Sequence, residues 1–237
     1  MMLKKAAVAN IKGLCFDLFN TLVDVGSVPA SVGAYTADIL GIDRQVWRDA
    51  CFGMAHQITR PVDGYECMKA LVDSIDATIP EQKIREALQA REERFEYALL
   101  NIDERLLTAL SRLEQAGFKL ALVSNASSSE VQAWERSPLI RYFETSVFSC
   151  YVGSRKPDAG IYQAALSLLG LSASECLFIG DGGSDEHLGA AAIGLAPVLL
   201  THYLEPENLP AIRAQYQSVL IAELDSIEAL LNFLELG

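Results

Sequence analysis

The sequence predicts an α/β fold, a doubly wound parallel sheet whose core is interrupted once by a block of helices. Two observations predict it. Short apolar, β-rich runs alternate with segments of helical spacing, the pattern of βα units whose sheet is buried on both faces. The first such run ends at residue 16 and the second begins only at residue 119, while residues 24–101 between them show helical spacing and no convincing strand.

Taken in order, the first predicted strand is residues 11–16 (IKGLCF), which runs directly into Asp17. Helical segments are predicted over 32–40, 44–58, 65–75 and 81–99, with breaks at Gly41, Pro61 and Pro80. A block of that length exceeds an ordinary crossover, whose βα and αβ loops run about 2–6 residues. It reads as an inserted helical domain, giving a core of residues 1–23 and 102–237 around an insert of 24–101. Further strands are expected at 119–124 (KLALVS), 145–150 (TSVFSC), 176–180 (CLFIG) and 197–200 (PVLL), with a sixth candidate at 218–222. The intervening helices are expected at 104–116, 128–136, 159–169, 185–193 and 226–234. Gly117 and Gly170 fall where helix-terminating glycines belong.

Composition narrows the function classes. Of 237 residues, 51% are hydrophobic and 21% charged, which fits a globular enzyme and excludes collagen-like or disordered chains. The net charge of −12 disfavours nucleic acid or an anionic membrane as partner, so an anionic ligand must be held by local donors. Five cysteines (Cys15, Cys51, Cys67, Cys150, Cys176) form an odd set without a CxxC pair, suggesting neither a disulfide framework nor a zinc site. The first residues, MMLKKAAVANIKG, lack a long apolar stretch, and no segment approaches the ~20 apolar residues of a membrane span. The expected location is the cytoplasm.

Ligands of a doubly wound sheet bind beyond the carboxyl ends of its strands. Those ends carry, in chain order, Asp17, Ser124, Lys156 shortly after the third strand, and Asp181. Asp17 is either a turn-capping carboxylate or a nucleophile for phosphorus or an activated carbon. Thr21 stands four residues on, as a turn hydroxyl or as a hydrogen-bond donor that orients Asp17. Ser124, with Asn125 beside it, is either a cap or part of an anion cradle. Lys156 is either a solvated lysine or an ammonium that offsets charge between a carboxylate and an anionic substrate, and Pro157 is suited to a helix's first position. Asp181, followed by Gly182 and Gly183, would face Asp17 as a hard oxygen site suited to Mg2+. Asp185 is favoured over Glu186 as its companion, Glu186 being read as a first-turn acid stabilised by the helix dipole.

Asp, Ser, Lys and Asp at successive strand ends, within the strings DLFNT, LVSN, RKPDAGIY and GDGGSDEHLGA, resemble the haloacid dehalogenase superfamily. The resemblance runs from residue 11 to about 200. It implies a Rossmann-like core with an inserted α-helical cap domain, the cap following the first motif. It also implies a hydrolase acting on a small, phosphorylated substrate through Asp17, with Thr21, Ser124 and Lys156 catalytic. Mg2+ would lie on Asp17, the Phe19 carbonyl, Asp181 and Asp185; Phe19, Asn20, Asn125 and Arg48 would meet the substrate. Cap residues Tyr35, Trp47, Arg48, His56 and Arg60 are candidates to line the pocket, and Lys69 and Lys83 are available cap lysines.

One position departs from the phosphatase pattern, which carries a second aspartate two residues after the nucleophile. Here that residue is Phe19, whose ring transfers no proton, and losing such a group costs about 10²–10⁴-fold in rate. An aromatic at this position is instead similar to 2-haloacid dehalogenases, while Asp181 and Asp185 differ from them. The ranking is therefore metal-dependent phosphoryl hydrolysis, then dehalogenation, then a catalytically weak phosphate-binding protein.

Overall fold

The computed structural model describes residues 10–51 and 59–236. Six parallel strands form one sheet: β1 (Gly13–Phe16), β2 (Lys119–Ser124), β3 (Thr145–Phe148), β4 (Cys176–Gly180), β5 (Ala196–Leu200) and β6 (Ala222–Leu224). Their order is β3-β2-β1-β4-β5-β6, with β1 paired in parallel to both β2 and β4. The chain winds outward in one direction from β1 and in the other from β4. The crevice of a doubly wound sheet opens where that reversal occurs.

Alternation along the strands sends side chains to two apolar layers. Leu14, Phe16, Leu120, Leu122, Leu177 and Ile179 face one layer, closed by α5 (Glu104–Gln115) and α10 (Ile227–Phe233). Cys15, Ala121, Val123, Val147 and Phe178 face the other, closed by α7 (Ala159–Leu169) and α8 (Glu186–Ala192). Helix α5 shows the local logic: Asp103 caps its first turn through the Arg105 N–H, and Leu106, Leu110 and Leu113 repeat on the buried face. Short α6 (Ser149–Val152) follows β3, and α9 (Leu209–Tyr216) joins β5 to β6.

Between β1 and β2 lie α1 (Thr36–Leu40), α2 (Arg44–Cys51), α3 (Gly64–Asp76) and α4 (Glu81–Leu100). They bury an apolar cluster of their own, built from Ala37, Leu40, Trp47, Met68, Leu71, Val72, Ile84 and Ala87. The end of the helix expected over 44–58, together with His56, lies outside the described residues. No helix among the described residues is long and apolar enough to cross a membrane.

Four local expectations are corrected. The first helix of the insert starts at Thr36, not residue 32, because the buried Arg94 guanidinium takes the carbonyls of Val25, Val28 and Gly33 and holds the incoming chain irregular. Residues 128–136 form turns and a 3₁₀ segment at Trp134–Arg136, with i→i+3 bonds closing before Pro138. Pro157 precedes the Asp158 cap of α7 and so lies outside the helix rather than in its first turn. The sixth strand begins at Ala222, because the N–H groups of Val219 and Leu220 cap the end of α9 on the Tyr216 carbonyl.

Candidate active site

Asp17 leaves the carboxyl end of β1 and Asp181 that of β4, the two strands that flank the switch in winding direction. Asp17 is buried, and its backbone N–H is bonded to the Ile179 carbonyl, which fixes the carboxylate at the crevice floor. Thr21, fully buried, donates its hydroxyl to Asp17 Oδ2 at 2.9 Å. The Lys156 ammonium donates to Asp17 Oδ1 and, at 2.6 Å, to Glu186 Oε2. Lys156 thus joins two carboxylates, each from a different segment of chain, to its own.

Glu186 is completely buried, and its second oxygen accepts the Gly182 N–H at 2.8 Å. Tyr162 supports it by donating to the Glu186 carbonyl at 2.8 Å. Two glycines make room. A Cβ on Gly180 would fall 2.0 Å from Glu186 Oε1, and one on Gly189 would fall 2.4 Å from the Pro157 carbonyl oxygen. The loop that delivers Asp181 to α8 turns sharply, with Gly182, Ser184 and Asp185 all at positive φ. Asp181 Oδ1 accepts the Gly183 N–H at 3.0 Å, and Tyr216 holds the Gly182 carbonyl at 2.6 Å.

Ligand oxygens of Asp17, Asp181 and Glu186 all lie within 4.8 Å of one another. Burial, opposed by Lys156 and Thr21 and aided by Glu186, leaves the Asp17 pKa raised to about 6. Burial, then Glu186 and Asp17, hold Asp181 well above the usual carboxylate range. Burial alone would depress the Lys156 ammonium, but Asp17 and Glu186 more than offset it and keep it above its ordinary value. Three buried carboxylates around one ammonium leave an excess of negative charge. That all-oxygen, acid-rich set fits a hard divalent cation such as Mg2+.

The remaining predicted site residues are distributed as follows. Ser124 ends β2 and is buried, with Leu122 of its strand in register with Phe16 of β1. Asn125 is occupied by Lys156: its amide donates to the Lys156 carbonyl at 3.0 Å, and its Oδ1 accepts the Lys156 N–H at 2.7 Å. Asn20 adopts positive φ and bonds the Val23 carbonyl, closing a tight turn after Asp17. Phe19 is half-buried, its ring edge-on to Phe95 of α4 at 4.9 Å between centroids.

Two predicted residues lie elsewhere. Asp185 is exposed and bonded to Gln215, outside the carboxylate cluster, and Glu186 occupies the place expected for it. Arg48 is exposed on α2. Of the proposed pocket residues, Trp47 is core, Tyr35 lies under the Arg44 guanidinium, and Arg60 is exposed; Lys69 is paired with Asp73 and Lys83 is exposed. Glu186 carries no distinguishing signal in the sequence. Its spacing to Gly189 is three residues and that of Asp185 is four, both same-face separations on a helix, so sequence spacing alone does not choose between them.

A family model for haloacid dehalogenase-like hydrolases matches residues 11–194. A phosphoglycolate phosphatase of Pseudomonas savastanoi pv. phaseolicola is 26% identical over 210 residues, covering 81% of this chain and 70% of that protein. A glyceraldehyde 3-phosphate phosphatase of Methanothermobacter thermautotrophicus is 28% identical over 113 residues, 46% of this chain and 48% of that protein, so the match spans about half of its length. Among solved structures, a dehalogenase superposes with a TM-score of 0.69 at 21% identity, covering 95% of this chain and 97% of that one. L-2-haloacid dehalogenase from Xanthobacter autotrophicus gives 0.67 at 20% identity, covering 95% and 98%.

The sheet order and the family match together define a hydrolase of Rossmann-like architecture. The chain belongs to the haloacid dehalogenase-like hydrolase family.

Proposed function

We propose that the protein is a Mg2+-dependent phosphatase of small metabolites that works through an aspartyl-phosphate on Asp17. The observation that carries the reading is the cluster of Asp17, Asp181 and Glu186 around Lys156. A dehalogenase transferring a neutral alkyl group needs no such excess of buried carboxylate; a phosphatase that binds a divalent cation does. The curated relatives named as phosphatases support the same choice.

Asp17, Asp181 and Glu186 are the side chains that would hold the cation, with the Phe19 carbonyl as a further donor. Bound there, Mg2+ would neutralise the cluster and polarise a phosphoryl oxygen. The chain's own residues do the rest. Asp17 attacks phosphorus with one carboxylate oxygen as the bond from phosphorus to the leaving oxygen breaks, and water then cleaves the phosphoryl ester and regenerates Asp17. Thr21 holds the carboxylate in line, and Lys156 offsets charge on the phosphoryl oxygens. Ser124 and the adjoining backbone contribute donors at the end of β2. The helices of residues 24–101 act as a cap over this crevice.

Phe19 sets the substrate class within that reaction. With no carboxyl group two residues after the nucleophile, the leaving group must depart as a stable anion, which favours acyl and aryl phosphates over alkyl phosphates. The same residue is the one feature that favours the second reading, hydrolysis of a carbon–halogen bond, in which halide leaves without a proton.

A paired assay separates them: aryl phosphate, acetyl phosphate and 2-chloropropionate, each with Mg2+ and with chelator. Phosphate release that requires Mg2+ and disappears in Asp17→Asn is the expected result. Halide release in chelator would replace the first reading with the second. Phosphate binding without turnover on any of the three would identify a binding protein.

A further inference from the structure

We propose that Asn125 is a positioning residue that fixes the backbone of Lys156. The inference rests on the phosphatase reading of the site and deepens it. Asn125 directly follows β2, and Lys156 stands 31 residues later, beyond β3. Both ends of the Asn125 amide are spent on one residue: Nδ2 on the Lys156 carbonyl at 3.0 Å and Oδ1 on the Lys156 N–H at 2.7 Å. That closes a ring of two hydrogen bonds, the pattern of a backbone pair made with a side chain.

A second reciprocal pair stands beside it. The buried Ser149 hydroxyl accepts the Ala126 N–H at 3.1 Å and lies 3.3 Å from the Ala126 carbonyl. The segments after β2 and after β3 are therefore fastened at two adjacent residues. One of these fastenings ends on the backbone whose side chain reaches Asp17 and Glu186. A long lysine held between two carboxylates needs its own backbone fixed, and α7 begins only at Ala159, beyond Lys156. Asn125 supplies that fixing. One Nδ2 hydrogen and Oδ1 are both engaged there, so the plane of the Asn125 amide is set by the Lys156 backbone.

The test uses four proteins: wild type, Asn125→Ala, Lys156→Met and the double variant. The first readout is kcat/KM for p-nitrophenyl phosphate in Mg2+. Misplacing a catalytic group by about 1 Å costs on the order of 10²-fold, so Asn125→Ala is expected to lose about 10–100-fold, mainly in kcat. In the Lys156→Met background the same change is expected to cost less than about twofold, since residues that act through one another are non-additive. Losses that multiply would show that Asn125 meets the substrate independently and would overturn the proposal.

The second readout needs no turnover. Acetic anhydride labelling read by peptide mass spectrometry should find Lys156 protected in the wild type and several-fold more reactive in Asn125→Ala. Exposed Lys69 and Lys83 should label equally in both. Unchanged protection of Lys156 would refute the proposal. Should the wild type lack phosphatase activity, the phosphatase reading fails while the labelling still decides the role of Asn125. If Asn125→Ala does not fold, Asn125→Asp serves instead: it keeps the acceptor for the Lys156 N–H and loses the donor.

Discussion

Asp181→Asn should make the metal-free protein more stable while abolishing its response to Mg2+. The substitution keeps the side-chain oxygen that accepts the Gly183 N–H and removes one charge from a cluster whose ligand oxygens lie within 4.8 Å. At an effective dielectric of 20, two unit charges at that separation repel by about 3.5 kcal/mol, and Asp181 faces two of them, partly offset by Lys156. Protonation limits the cost. Burial and the neighbouring carboxylates hold the folded-state pKa of Asp181 well above the usual carboxylate range, so the folded protein keeps a proton that the unfolded chain has released, and stability falls as pH rises from the unfolded pKa toward the folded one.

The variant should therefore match wild type at low pH, where the carboxyl is protonated in both states, and become progressively more stable than wild type as pH rises toward 7. Thermal unfolding in EDTA from pH 4 to 8 measures the gain. The same scans in Mg2+ measure linkage: at 100 times Kd the wild type should gain about 2.7 kcal/mol and the variant almost nothing. An Asp181→Asn protein that is less stable than wild type in EDTA at neutral pH would refute the reasoning. So would equal stabilisation of both proteins by Mg2+.

Glu186→Gln should lower phosphatase kcat by about 10²-fold or more through loss of a transition-state-orienting charge, while Asp185→Asn stays within a few-fold of wild type; the reverse ranking contradicts the cluster. In the proposed reaction Asp17 attacks as a carboxylate, so turnover should fall as pH drops through about 6, and saturating Mg2+ should move that limb to lower pH; a limb insensitive to Mg2+ counts against the carboxylate as a metal neighbour. Glu130 pairs with Arg91 at 2.5 Å in a buried contact between α4 and the segment after β2, so Glu130→Ala should destabilise by about 3–5 kcal/mol in urea unfolding. Phe19→Asp should raise alkyl-phosphate hydrolysis relative to aryl-phosphate hydrolysis, and an unchanged ratio in a folded variant would show that proton transfer is not limiting.

The strands after residue 100 were legible because a parallel sheet buries both faces, and continuous apolar runs such as LALVS and CLFIG have few other uses. Asp17, Lys156 and Asp181 were legible for a related reason: polar residues closing apolar runs stand out, and the winding of the sheet dictates that they converge. Residues 128–136 were misread, because helical composition does not reveal that the closing bonds will be i→i+3. The insert's first helix was overextended because no local signal announces that Arg94, some sixty residues away, will claim three carbonyls of the incoming chain.

The sequence by itself determined the fold class, the helical insertion and the strand ends whose polar residues converge, since periodicity and chain order are local properties. Only the tertiary structure decided between Asp185 and Glu186, because that choice depends on which face of α8 meets Pro157 and on the space left by Gly180 and Gly189. It alone also assigned the Asn125 amide to Lys156 rather than to the crevice. Hydrogen bonds between residues 31 apart are set by how β2 and β3 lie side by side, and no spacing in the chain records that.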